Sequence, residues 1–327
     1  MSIVLSHRTA WLLYHAPRRP RLVASLPERE APLAAVYPTA DELNRARKLL
    51  TAYGIPADKL ETLDVLVAHA RNRVSRHSAA CHVWARPLPA YSLCRVAPGL
   101  FAASPALCFV QMANVFPDRW ELVEFGYELC GSYEMPLTDD VDYCDRQPLS
   151  TLENLRAIVE TLDGMHGIKT ARWALRYVRE GSRSPMETAH IMTVALPRRM
   201  GGVGLRSVTM NHRIEIPTEL RCLTSRRSVI CDGCSETHRI DFEYNGFHHD
   251  EEQRKVADEE RRNVLEAMGY QVKVLTKAAF FDRDGFRRHV AAVFEIAGVQ
   301  VDDLPVGFFQ KQEELRRFVL RRWLAER

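Results

Sequence analysis

The chain has 327 residues, about two domains' worth, with a globular composition of 46% hydrophobic and 27% charged residues. A formal net charge of +3 excludes a globally basic nucleic-acid binder, so any basic surface has to be local. No run approaches the roughly 18 consecutive apolar residues of a membrane span.

The opening "MSIVLSHRTAWLLYHAPRRP" lacks the basic region, apolar core and cleavage site of a signal peptide. The eight cysteines are scattered, so reduced thiols in a cytoplasmic protein are expected. Ser6 is placed as the N-cap of a short helix over "HRTAWLLYH", and a Pro/Arg-rich piece follows. "TADELNRARKLLTAYG" and "DKLETLDVLVAHARN" are expected as two helices, with the glycine of "AYGIP" as the stop between them. "CHVWARPLPAYSLCRVAPGLFAAS" reads as strands and turns. Ser104 and Pro105 open the helix "SPALCFVQMANVF", and "DRWELVEFGYELCGSY" continues the helical period. Ser150 and Glu153 form a capping-box pattern before "TLENLRAIVETLDG". "IKTARWALRYVREG" is expected to run as a helix to Gly181.

From Ser182 the order becomes helix, three strands, helix, strand, helix, an α/β pattern. Ser184 and Pro185 cap "METAHIMTVAL"; the strand "SVTMNHRIEIP" and a hairpin around "ICDGCSETHRIDFEYN" follow. The helix "DEEQRKVADEERRNVLEAMG", the strand "YQVKVLT" and two closing helices complete the order. The expected organisation is an N-terminal α+β region over 1–181, an α/β domain with a mixed sheet flanked by helices over 182–300, and a basic helix over 301–327.

With "SETH" as the turn, Asp232 falls opposite Glu243 and Cys234 opposite Asp241. Side chains two apart share a face, so Asp232, Asp241, Glu243 and Asn245 line one face, and Ile240, Phe242 and Tyr244 the other. Directly opposed like charges destabilise a hairpin by up to about 1 kcal/mol, and a divalent cation reverses that sign. Carboxylates, phosphate oxygens and water are what Mg²⁺ takes. A zinc reading would use Cys231, Cys234, His238 and Cys222. One CxxC whose cysteines point to opposite faces lacks the two paired clusters of a structural zinc, and small semi-buried thiols are the simpler reading.

The run "SRSPMET…NHRI…ICDGCSETHRIDFEYNGFHHDEEQRKVADEERRNVLEAMGYQVKVLT" resembles the PD-(D/E)XK nuclease superfamily over about residues 182–292. It looks closest to the branch of very-short-patch mismatch-repair endonucleases and an actinobacterial endonuclease-like family. The resemblance implies a restriction-endonuclease-like fold hydrolysing phosphodiesters of DNA with Mg²⁺ or Mn²⁺. Glu187 matches its first-helix acid, Asp232 its strand acid, and Glu243, Tyr244 and Gly246 its second acidic cluster. His249 matches the trailing histidine, with His248 beside it, and Asp258 with Arg261 or Arg262 matches the helix. Asp232, Glu243 and Glu187 would hold the metal, His249 would move protons, and Gln253 would orient in place of a lysine. Two departures from the pattern meet at one position, two residues after Glu243: Asn245 stands where Asp is common, and no lysine is there.

Arg226 and Arg227 are expected DNA contacts. Arg221, the Arg18–Arg19–Arg21 cluster and a stripe of Arg316, Arg317, Arg321 and Arg322 are further basic pieces, and for all of these arginines a solvated charged face is the commoner outcome. The N-terminal half loosely resembles AbiEi-like abortive-infection antitoxins, DNA-binding regulators. The alternative function is therefore a nuclease-derived DNA-binding regulator that no longer cuts. A protein partner or a second copy is left open.

Overall fold

The computed structural model describes residues 3–22, 33, 37–69, 75–76, 78–137, 142–246 and 252–324. The chain divides into two compact units, Met1–Val178 and Arg179–Arg327. Among the described residues no helix is long and apolar enough to cross a membrane.

The first unit runs β1 (Ile3–Leu5), α1 (His7–Tyr14), α2 (Ala40–Ala52), β2 (Leu63–Val67), β3 (Ser75–Arg76), β4 (Ala79–Val83), β5 (Leu93–Ala97) and β6 (Leu100–Ala103). It continues with α3 (Pro105–Met112), α4 (Arg119–Cys130), β7 (Tyr133–Glu134), β8 (Cys144–Asp145), α5 (Leu152–Thr161) and α6 (Ile168–Ala174). A six-stranded mixed sheet has the order β3-β4-β2-β1-β6-β5. "LDVLV", expected as helix, is instead strand β2, antiparallel to β1 and parallel to β4. Four of its five residues are buried, so sheet burial overrides a helical period that the same apolar residues also satisfy. The cap before α5 is Thr151, which accepts from Asn154 N, rather than Ser150. The helix expected to reach Gly181 ends at Ala174.

His7 enters α1 with φ 44°, a left-handed conformation rare for a residue with a Cβ. Its N–H donates to Gln111 Oε1 at 2.9 Å and its ring stacks on His82 at 3.7 Å. His82 Nε2 in turn lies 2.7 Å from Asp64 Oδ1. Side chains of β2, β4 and α3 thus hold the turn from β1 into α1.

The second unit runs α7 (Pro185–Ala195), β9 (Val208–Glu215), β10 (Ser228–Ser235), β11 (Ile240–Asn245), α8 (Glu252–Ala267) and β12 (Gln271–Thr276). It ends with α9 (Lys277–Phe281), α10 (Arg283–Ile296), α11 (Phe308–Val319) and α12 (Arg321–Leu324). The sheet order is β12-β11-β10-β9; β11 and β12 are parallel and the other neighbours antiparallel. The hairpin register follows the turn: Gly233↔Phe242, Cys234↔Asp241 and Ser235↔Ile240.

One face of the sheet packs on α8, where Val264 and Leu265 join Ile214, Ile216, Val229, Cys231 and Cys234. Cys231 and Cys234 therefore face the same side, not opposite sides. Strict alternation slips between them, next to Asp232. The other face meets α7. A Cβ at Gly233 would overlap Ile191 Cδ1 and lie 3.2 Å from its Cγ1, so glycine lets α7 close onto β10. The segment 301–327, expected as a separate basic helix, belongs to this unit. Arg316 is buried, its Nη1 donating to the carbonyls of Phe280 at 2.9 Å and Phe281 at 3.0 Å, which removes it from the expected surface stripe.

Gly233→Val is expected to cost about 1–3 kcal/mol through overpacking against Ile191. Chemical denaturation of the full chain measures the loss, and hydrogen exchange is expected to place it in α7 and β10.

Candidate functional site

Three elements bring carboxylates together beside the hairpin. On α7, Ser184 Oγ caps the helix by accepting from Glu187 N at 3.1 Å. Glu187 Oε2 reaches back to Arg183 N at 2.9 Å and accepts from Asn211 Nδ2 at 3.2 Å. Asn211 is held in turn by Gly181 O at 2.6 Å. Asn211 takes φ 46° in the middle of β9, a conformation asparagine tolerates better than most residues. The β9–β10 ladder pairs Cys231 with His212 and Gly233 with Met210, and skips Asn211 and Asp232 between them.

The β10–β11 ladder also opens at Asp232, beyond the Gly233↔Phe242 pair. Two backbone N–H groups there donate into side chains: Tyr244 N to Asp232 Oδ2 at 3.1 Å, and Asp232 N to Glu243 Oε1 at 3.2 Å. Asp232 and Glu243 are thus cross-strand neighbours. Glu243 also accepts from Arg261 Nη2 of α8. The same Nη2 donates to Asp241 Oδ2 at 3.0 Å and Ile230 O at 3.1 Å. One nitrogen with two hydrogens faces three acceptors, and Asp241 also meets Glu243 and Cys231 through side-chain hydrogen bonds.

The electrostatics follow from this crowding. Burial, then repulsion from Asp232, lifts Glu187 to about 6. Burial, then Glu243, lifts Asp232 to about 6. Asp241 rises to about 7, chiefly by burial, with Arg261 pulling the other way. Glu243 rises furthest, to about 8, through burial and then Asp241. Burial works against the charge of Arg261, but Asp241 and Glu243 outweigh it and raise its pKa. At neutral pH the Asp241–Glu243 pair therefore retains a proton, and a single cation serves both.

The remaining expected residues lie elsewhere. Asn245 is exposed at the end of β11, opposite Thr276. Asp258 and Arg262 are exposed on α8, and Arg261 is the arginine turned inward. His248 and His249 lie outside the described residues. Gln253 is on the first turn of α8 with its side chain outside that description. Arg226 and Arg227 are exposed in the loop before β10. Of the zinc set, Cys222 is exposed, with its thiol 3.6 Å from Glu219 O, and His238 Nδ1 lies 2.9 Å from Ser235 Oγ. The Cys231 thiol is pushed up, first by its hydrogen bond with Cys234 and then by burial. Asn211 was not foreseen, and nothing in "MNHRI" marks it.

The donor chemistry suits a hard divalent ion: Glu187, Asp232 and Glu243 offer carboxylate oxygens, the ligands Mg²⁺ prefers. Among the described residues no group of three or more His, Cys, Asp or Glu is arranged as a ready metal set, and Arg261 engages Glu243.

The raised carboxyls bind protons more tightly folded than unfolded, so their contribution to stability falls as pH rises. Buried His190 and His289, held below the ordinary 6.5, act only below that value. Between pH 6.5 and 8, bounded by the ordinary histidine value and the raised Glu243 value, the melting temperature is expected to fall. Glu243→Gln should flatten that slope; an unchanged slope would contradict the shared-proton assignment.

In comparisons with known proteins, no family model, curated protein or solved structure matches the chain.

Proposed function

We propose that the second unit is a metal-dependent endonuclease that hydrolyses phosphodiester bonds of DNA. The observation that carries this reading is the linked pair of Asp232 and Glu243 on two strands, where both ladders open, with Glu187 of α7 near enough for the Asp232 charge to act on it. The order α7-β9-β10-β11-α8-β12 with its mixed sheet supports it, because the PD-(D/E)XK resemblance implies that order and places acids on those elements.

Asp232 and Glu243 would hold Mg²⁺ or Mn²⁺, with Glu187 beside them. The bound ion would supply Lewis-acid polarisation of the phosphodiester and an activated water. The chain's own residues set the conditions. Asn211 and Arg183 N fix Glu187, which at about 6 is suited to accept a proton near neutral pH. With Arg261 committed to Asp241 and Glu243, the ionised Asp232 and Glu187 repel a phosphate until a cation offsets them. Arg226 and Arg227, exposed before β10, would contact DNA phosphates.

A specific observation favours a second reading. Arg261 already engages Glu243 and Asp241, and the position two residues after Glu243 holds Asn245 and no lysine. Both suit a DNA-binding regulator that has ceased to cut.

For the nuclease, cleavage of duplex, mismatched or single-stranded DNA is expected with Mg²⁺ or Mn²⁺ and not with EDTA. Asp232→Ala and Glu243→Ala should each abolish it while DNA binding persists, because phosphate contacts supply most of the affinity. Salt-dependent binding without cleavage under any metal would favour the regulator.

A further inference from the structure

A groove of about 390 Å³ lies between α10 and α11, well away in sequence from the acidic hairpin. That volume is within the range of small-ligand sites. Arg283 and Arg287 stand one helical turn apart on α10 and line one side. Phe309, Glu313 and Arg317, also at successive turns, line the other from α11.

Its charge is positive once the pairs are resolved. Glu313 is taken by Arg316, at 2.8 Å through both Nε and Nη2. Glu314 is taken by Lys311 at 2.8 Å and Gln310 at 3.1 Å. Glu313 also feels Arg283 and Arg317, but its hydrogen bonds go to Arg316, so Arg283, Arg287 and Arg317 leave the groove with an excess of positive charge.

Phe309 is a large aromatic on the surface, 46% exposed. It is nevertheless fixed: its ring meets buried Phe308 edge-on at 5.4 Å, and Phe308 packs on Phe294 of α10 at 5.6 Å. Arg287 sits over the Phe309 ring at 5.7 Å. An exposed, packed aromatic beside arginines that outnumber the free carboxylates is the arrangement that stacks bases and tracks a phosphate backbone in single-strand binding. An acidic peptide would use the arginines but leave the ring unexplained.

We propose that this groove binds single-stranded nucleic acid, with one base stacked on Phe309 and neighbouring phosphates held by Arg283, Arg287 and Arg317. The site stands on α10 and α11 alone and does not depend on cleavage at the hairpin.

The test is fluorescence anisotropy of the full chain with short oligo-dT, oligo-rU and an abasic strand of the same length, at several salt concentrations. Phe309→Ala is expected to weaken oligo-dT or oligo-rU about 5- to 150-fold and leave the abasic strand little changed. Which strand responds identifies DNA, RNA or both as the source. Arg287→Gln with Arg317→Gln should lower the salt slope by about 0.7 per lost contact. Phe309→Leu, which keeps apolar bulk, should not restore affinity, and melting temperature should hold because Phe309 is exposed. Unchanged oligonucleotide affinity in Phe309→Ala, or an equal loss for the abasic strand, would overturn the proposal. So would poly-glutamate binding as tightly as oligo-dT.

Discussion

The guanidinium of Arg261 is the constraint on which the second unit depends. It reaches from α8 to the carboxylates of Asp241 and Glu243 and to the backbone of Ile230, and so ties one helix to two central strands. Asp241 is fully buried. An uncompensated charge there would be strongly destabilising, by several kcal/mol on the scale of broken buried pairs. Arg261, with Arg183 acting on Asp232, does not neutralise four carboxyls, so the excess appears as protons held above their ordinary range and as side chains drawn into backbone hydrogen bonding. The open ladders at Asp232 express the same crowding. Tyr244 N and Asp232 N donate to carboxylates rather than to strand carbonyls, which keeps the acids in place and prevents regular pairing. Clusters of buried acids with raised pKa values are characteristic of functional sites.

Much of this was legible in the residues. The short "SETH" turn leaves one pairing that keeps Ile240 and Phe242 inward, so the register and the Asp232–Glu243 neighbourhood followed from the turn. The caps at Ser184 and Ser104 were readable because Ser-Pro before an apolar run satisfies local donors without tertiary help. The choice of Arg261 over Arg262 was also recoverable: 261, 264, 265 and 268 form one helical stripe, and Val264, Leu265 and Met268 pack on the sheet.

Other features depend on partners remote in sequence. The "LDVLV" run satisfies both periods, and only β1 and β4 decide that it is a strand. The slip that turns Cys231 and Cys234 to one side arises beside Asn211, whose left-handed backbone has no signature in "MNHRI". The His7–His82–Asp64 contacts join positions from three separate segments. Of the groove arginines the sequence singled out Arg317 alone, in a helix stripe, and Arg283 and Arg287 join it because α10 and α11 lie side by side.

The most direct measurement is a double-mutant cycle on the buried ion pairs, by denaturation of the full chain at neutral pH. Arg261→Leu is made in the natural sequence and again in an Asp241→Asn, Glu243→Gln background. The account predicts a loss of about 3–5 kcal/mol in the first case and a small fraction of that in the second, because no buried charge is left stranded. Equal losses in both backgrounds would mean that Arg261 acts by packing alone, and would contradict the account.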